Sequence, residues 1–195
     1  FVMRDRQTGT VWAHLDGTAS QGPLVGERLG FLPLPQMTWG DWRVEHPNTL
    51  VLDPDTPYSD RYRPVRIGRP NQREARWGDD RLESNALLVG VEANGTFVGF
   101  PVDVLASEGG VANAEVGGVP VVVVYDADSR TGIAFERRVG EQTLEFSLVP
   151  STHGFRLRDM EAGSTWDSGG NAIDGPLAGS SLRFVPSFIT EWYGW

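Results

Sequence analysis

Two eight-residue stretches decide the fold: residues 5–12 read DRQTGTVW and residues 159–166 read DMEAGSTW. Both begin with Asp, carry Gly at the fifth place and end in Trp, and the likeness extends over residues 1–42 and 155–195. Five identities at an offset of 154 are followed, after a one-residue deletion, by eleven at an offset of 153, and most are Gly, Pro or Trp. The sequence therefore predicts an internal tandem duplication.

The repeat also predicts how the chain is divided. Residues 87–154 precede the second copy and have no counterpart before Phe1, so 154 − 86 = 68 residues of the first unit are expected upstream. We expect residues 1–57 to be the C-terminal half of a first repeat unit, residues 58–86 an Arg-rich linker, and residues 87–195 the second unit. A basic binding strip is the alternative for the linker, which carries seven Arg between Tyr58 and Arg81.

Composition narrows the class of protein. The 24 Gly and 13 Pro favour a turn-rich β protein, while seven Trp and nine Phe supply enough apolar area to oppose disorder. A net charge of −9 disfavours nucleic acid as a partner. The chain has no Cys, which excludes disulfides and thiolate metal sites within it, and no apolar run reaches the length of about 20 residues that a membrane span needs.

Alternating apolar residues flanked by Gly and Pro predict a mainly β fold of antiparallel hairpins with a few short helices. The clearest hairpin joins residues 87–93 and 96–100 through Asn94-Gly95, since both residues accept a positive φ. Strands are also expected at residues 28–32, 119–125, 131–137, 142–148 and 181–185, and a short helix at residues 102–106.

A second short helix is expected after Thr38, whose hydroxyl can cap the free amides, with Asp41 three residues on and Pro47 ending it. Trp39 and Trp42 lie about one turn apart on this helix. His46 stands at its end, where a cation meets the helix dipole favourably, which favours a capping role over catalysis. The counterpart of this helix in the second copy begins at Thr190 and reaches Trp195, the last residue.

Asp5 and His14 are candidates for catalysis. Asp5 stands before a Gly-Thr turn, and an Asx-type turn accounts for its position without a functional role. In the functional alternative, Asp5, Thr10 and His14 converge beside Trp12, with His14 as base or ligand. Ser168 stands at the place of His14 in the second copy, so a His-dependent site would occur once at most.

Four tryptophans are candidates for ligand binding, against the alternative that they anchor the core: Trp12, Trp39, Trp42 and Trp166. No metal site and no cofactor are predicted, because the three His residues lack ligand spacing. Asp126-Ala-Asp128-Ser-Arg130 begins like a calcium loop, but Arg130 stands at the third acidic position, which favours a hairpin turn.

The chain resembles the family known as domain of unknown function 3179. The resemblance is carried by several motifs: residues 5–12, 22–26, 38–42, 46–52, 89–91, 99–101, 116–120, 135–139 and the whole second copy. Similar members carry Cys-Pro-Leu-Cys after the strand that ends at Tyr125, which would place the two cysteines at Asp126 and Ser129. The resemblance thus implies that any metal or redox chemistry of that pair is absent from the second unit. It also favours an exported or cell-envelope location, and it supplies no activity.

Two functions follow from these patterns. The repeated Gly, Pro and Trp, without a repeated acid, base or ligand, favour a non-catalytic duplicated β module that serves as a binding or assembly scaffold for a protein partner. The alternative is a metal-dependent or redox enzyme whose site joins His14 and Asp5 to residues upstream of Phe1.

Overall fold

The computed structural model describes residues 2–14, 16–52, 55–61 and 79–195. The chain divides into two compact units, Phe1–Leu34 and Pro35–Trp195. The predicted linker lies largely outside the described residues. The boundaries predicted from the repeat, at residues 57 and 86, therefore stay a prediction.

The described residues of the first compact unit form one small antiparallel sheet, in the order β1 (Val2–Arg4), β2 (Val11–Ala13) and β3 (Ala19–Gln21). The register places Met3 opposite Trp12 and shifts between Val11 and Trp12, where β2 meets β3. This irregularity is a β-bulge, which bends a strand and re-aims its side chains.

The second compact unit begins with helix α1 (Trp39–Glu45), which Thr38 caps as predicted by accepting a hydrogen bond from the Asp41 amide. A second helix, α2, spans Val102–Ser107, and short 3-10 helices lie at Ser59–Arg61 and Trp192–Gly194. Its strands are β4 (Leu87–Ala93), β5 (Thr96–Pro101), β6 (Val111–Val116), β7 (Val119–Asp126), β8 (Thr131–Glu136), β9 (Arg138–Val139), β10 (Gln142–Thr143), β11 (Phe146–Val149), β12 (Arg156–Asp159), β13 (Thr165–Trp166), β14 (Ala172–Asp174), β15 (Arg183–Val185) and β16 (Ser187–Glu191).

These strands form antiparallel sheets in the orders β15-β8-β7-β6, β11-β12-β13-β14 and β16-β4-β5, beside the small β9-β10 hairpin. Strand β7 is central because its side chains alternate between two apolar clusters. Val122 and Val124 join the cluster that holds Trp166, on the side of the β11-β14 sheet. Val121 and Val123 join the cluster that holds Val89, which also includes residues of α2. A strand buried on both faces explains the continuous apolar run at residues 119–124.

The mainly antiparallel β class is confirmed, and so is the Asn94-Gly95 hairpin, whose two residues have φ of 49° and 75°. The turn after Asp126 is also a hairpin turn, with Asp126 paired to Thr131. The predicted helix at the end of the chain is shorter than expected, because β16 continues to Glu191. No helix in the described ranges is long and apolar enough to span a membrane.

The predicted strand at residues 142–148 is split into β10 and β11, and the predicted strand at residues 28–32 is wrong. Residues 29–38, all of which are described, form no strand, and only Arg28 makes an isolated bridge to Thr18. In the second copy the corresponding residues form β15 and β16, each paired with a neighbouring strand. The alternating pattern is therefore present at residues 28–32, but the backbone there has no strand to pair with among the described residues.

Candidate functional site

The Asp–Trp loop of the second copy, residues 159–166, is held by one buried carboxylate. Asp159 Oδ1 accepts hydrogen bonds from the amides of Ala162 at 2.6 Å and Gly163 at 3.0 Å. Asp159 Oδ2 accepts from the Ser164 amide at 3.0 Å and from the indole Nε1 of Trp166 at 2.9 Å. The carboxylate therefore organises a turn and anchors the indole in the core, where Trp166 meets Phe146 edge to face at 5.7 Å.

The corresponding loop of the first copy, residues 5–12, shares this geometry except at Thr10, whose amide donates to the Thr8 hydroxyl and not to the Asp5 carboxylate. Asp5 Oδ1 accepts from the amides of Thr8 at 2.6 Å and Gly9 at 3.2 Å, and Oδ2 accepts from Trp12 Nε1 at 3.0 Å. The Thr8 amide, followed by the Trp12 indole, holds the pKa of Asp5 well below its ordinary value because these bonds favour the charged form. The matched geometry supports the duplication, which stays a prediction.

The structure shows where the candidate residues Asp5, His14, Trp12 and Trp166 lie. The contacts described for the Asp5 carboxylate are with Thr8, Gly9 and Trp12, whereas His14 is exposed at the end of β2. Trp12 and Trp166 are buried, so their rings offer little or no surface to a ligand. The Asx-type turn accounts for the position of Asp5, and its role in catalysis stays a prediction.

The two other tryptophans lie on the surface. Trp39 is 54% exposed, and Trp42 is also exposed on α1. The Trp42 indole donates to Thr49 Oγ1 at 3.0 Å and lies 4.2 Å from the His46 ring, so its orientation is set by its own helix end. Of the four candidates, Trp39 and Trp42 are the ones with rings accessible to a partner.

A cleft in the second compact unit brings together residues that are far apart in sequence. It has a volume of about 510 Å³ and is lined by Thr38 and Asp41 at the start of α1, by the β7-β8 turn at residues 126–129, and by residues 148–155 between β11 and β12. We call it the Asp41–His153 cleft. Its size falls within the range of small-molecule sites, which is roughly 300–1,000 Å³.

The contact between Asp41 and His153 links helix α1 to the loop between β11 and β12. His153 Nδ1 lies 3.0 Å from Asp41 Oδ1, and the Thr38 hydroxyl donates to Asp41 Oδ2 at 2.6 Å. The Thr38 bond first, and then the His153 contact, lower the pKa of Asp41 below its ordinary value of 3.8. Asp41 is thus a fixed carboxylate, while His153 beside it is half-exposed.

The β7-β8 turn contributes two further carboxylates. Asp126 Oδ2 accepts from the Ser129 amide at 3.0 Å and from the Ser129 hydroxyl, which closes the turn. Asp128 is exposed. Within the described ranges, no group of three or more His, Asp or Glu is placed to hold a metal ion. The cleft therefore offers negative charge and hydrogen-bond acceptors without a metal centre among those residues.

Sequence reasoning missed this site because its parts are remote from one another. Asp41 and His153 are 112 residues apart, and each alone has an ordinary local explanation, as a helix-cap residue or a loop residue. The Asp126-Ala-Asp128-Ser129 stretch was the one local signal, and it indicates a turn.

We expect Thr38→Val to raise the pKa of Asp41 towards 3.8, since it removes the strongest hydrogen bond to the carboxylate. In the native protein the lowered pKa gives a stabilisation that is present above pH 3.8 and is lost as the pH falls through the folded-state pKa. An NMR titration of the carboxyl carbons measures the change. Thr49→Val is the control, because the Thr49 hydroxyl lies beyond the other end of α1. An equal change in the pKa of Asp41 in Thr49→Val would contradict the prediction.

Comparison with family models identifies the chain. The model described as "Protein of unknown function (DUF3179)" matches residues 1–195, and the chain belongs to that family. The resemblance found in the sequence motifs is thereby confirmed. No curated protein and no solved structure matches the chain.

Proposed function

We propose that the chain is a non-catalytic binding module, that the Asp41–His153 cleft is its ligand site, and that the ligand is a small organic cation. The observation that carries the proposal is the lining of the cleft, which combines three carboxylates with an apolar wall.

Charge supports the cationic class of ligand. Asp41, Asp126 and Asp128 line the cleft; none of its described lining residues is Arg, and its one His, His153, is paired with Asp41. Clefts lined by charge of one sign concentrate ligands of the opposite sign, and the net charge of −9 acts in the same direction over longer distances. An anionic ligand would meet repulsion from all three carboxylates.

The apolar wall supports an organic ligand over a bare ion. Leu148, Val149, Pro150 and Phe155 lie along one side of the cleft, beside the polar residues 151–153. Small-molecule sites combine such an apolar surface with a few polar groups that fix orientation. An amine with an apolar body satisfies both kinds of lining.

The family resemblance supports binding over redox chemistry at this position. It places a cysteine pair at Asp126 and Ser129, both of which line the cleft. In this chain the two residues hydrogen-bond to each other and carry no thiol. The alternative of a metal-dependent or redox enzyme, with Asp5 and His14 completed by upstream residues, stays a prediction.

The test uses three ligands of matched shape: 2-phenylethylamine, the neutral 2-phenylethanol and the anionic 3-phenylpropionate. We expect the amine to shift the backbone amide signals of Ser129 and His153 in NMR spectra, with an affinity at least about tenfold above that of the alcohol, because a charged hydrogen bond is worth about 1.5–3 kcal/mol. Absence of shifts with the amine, or equal binding of the anion, would overturn the assignment of a cation.

Asp126→Asn and Asp128→Asn should each weaken amine binding about tenfold, since each removes one charge from the cleft. Asp103→Asn is the matched control: it removes an exposed charge on α2 that does not line the cleft. Calorimetric titration of the four proteins compares them. An equally large loss of amine affinity in Asp103→Asn would show that the net charge of the protein, and not the cleft, attracts the amine.

A further inference from the structure

Several carboxylate oxygens of the Asp41–His153 cleft already have hydrogen-bond partners within the protein. Asp41 Oδ1 contacts His153 Nδ1, and Asp41 Oδ2 accepts from the Thr38 hydroxyl. In the β7-β8 turn, Asp126 Oδ2 accepts two hydrogen bonds from Ser129. These oxygens add negative charge to the cleft, but the protein itself supplies their donors.

Three other carboxylate oxygens of the β7-β8 turn are left for a ligand. Among the hydrogen bonds and ion pairs of the described residues, none involves Asp126 Oδ1 or either oxygen of Asp128. Asp128 is exposed, and Arg130, two residues further along the turn, is not one of the described residues that line the cleft. The two acidic side chains therefore keep these acceptors for a bound cation.

The number of these oxygens favours a guanidinium over an ammonium group. A guanidinium has five N–H donors in one plane and forms two parallel hydrogen bonds with a carboxylate, whereas an ammonium has three donors and acts as a point charge. Both oxygens of Asp128 can accept such a parallel pair, and Asp126 Oδ1 can accept a remaining N–H. A guanidinium is also less strongly hydrated than an ammonium, so it loses less on entering a partly apolar cleft.

The apolar wall fits the rest of an arginine side chain. Leu148 and Val149 are partly buried and line the cleft together with Pro150. Arginine packs its methylene stem against apolar surface and keeps its charged end among polar groups. One side chain therefore satisfies both the carboxylates and the apolar wall.

We propose that the organic cation of the Asp41–His153 cleft is an alkylguanidinium, the side-chain group of arginine, paired with both oxygens of Asp128 and with Asp126 Oδ1. This pairing rests on the proposed ligand site and narrows its ligand to one class of head group. An arginine residue of a peptide and free arginine share this chemistry.

Calorimetric titration of the 195-residue chain compares four probes: the Nα-acetyl methylamides of arginine, lysine and citrulline, and free arginine. Citrulline is the neutral isostere of arginine. We expect the blocked arginine to bind at least about fivefold more tightly than the blocked lysine and at least about tenfold more tightly than the blocked citrulline. Tighter binding of the blocked than of the free arginine supports a peptide as the source, and the reverse order supports the free amino acid.

The same titration with 2-phenylethylamine separates failure of the head group from failure of the site. If the blocked arginine and lysine bind equally and the amine binds as well, the guanidinium is overturned and the cation site stands. If neither the blocked arginine nor the amine binds, the cation site is overturned too.

Asp128→Asn should reduce the preference for the blocked arginine over the blocked lysine to about twofold or less, because the amide has one acceptor oxygen where the carboxylate has two. Asp103→Asn is the matched control, since it removes an exposed charge outside the cleft, and it should keep the full preference. Circular dichroism checks that both variants are folded. An unchanged preference in Asp128→Asn would contradict the pairing with Asp128.

Discussion

Asp159→Ala should lower the free energy of unfolding by about 4 kcal/mol. The substitution removes the one acceptor shared by three backbone amides and the Trp166 indole. Asp159, Ser164 and Trp166 are all buried, so water cannot replace the carboxylate without opening the loop. An unsatisfied buried donor costs about 1–3 kcal/mol, and the effect is larger when the lost partner carries a charge.

Urea unfolding, followed by circular dichroism, measures this loss. Asp167→Ala is the matched control in the same compact unit, since Asp167 also accepts hydrogen bonds from following amides, at Gly169 and Asn171, but at a more exposed position. We expect the control to lose about 1 kcal/mol, because water can hydrate the freed amides. Equal losses in the two variants would show that burial of the Asp159 carboxylate does not matter.

Gly117→Ala should destabilise the protein by about 3–4 kcal/mol, against about 1 kcal/mol for Gly118→Ala. Both glycines have a positive φ, of 56° and 77°, so both variants strain the β6-β7 turn. Only at Gly117 does the added Cβ meet backbone, at 2.2 Å from the Ala93 carbonyl oxygen, while nothing lies within 4 Å at Gly118. The β4-β5 hairpin would have to move away to admit it.

The adjacent variants share the same turn and the same chemical change, so their difference isolates the contact with Ala93. Differential scanning calorimetry gives the two melting temperatures. Equal melting temperatures would mean that the two hairpins separate at little cost and that the close contact is unimportant for stability.

Local patterns predicted a large part of this fold. The Asn94-Gly95 turn, the Thr38 cap of α1 and the strand at residues 119–126 are as expected, since each follows from the conformational preferences of a few neighbouring residues. The expectation failed at residues 28–32, where the alternating pattern is present but the described residues supply no strand to pair with it.

The candidate site was much less predictable. Sequence reasoning singled out Asp5, His14 and four tryptophans, and the structure places Asp5 and Trp12 in a structural loop. The cleft instead joins Asp41 to His153 and to Asp126, residues whose local roles as cap, loop and turn residues gave no sign of convergence.

By itself, the sequence determined the family, the mainly β class, the positions of the hairpins and the likeness of the two Asp–Trp loops. These features depend on the conformational preferences and spacing of residues close together in the chain, which a sequence pattern records directly. Only the tertiary structure decided that Trp166 is buried, that Trp39 is exposed, and that Asp41 meets His153. Burial and convergence depend on contacts between parts of the chain that are remote in sequence, such as Asp41 and His153, and these contacts are set by packing of the whole core.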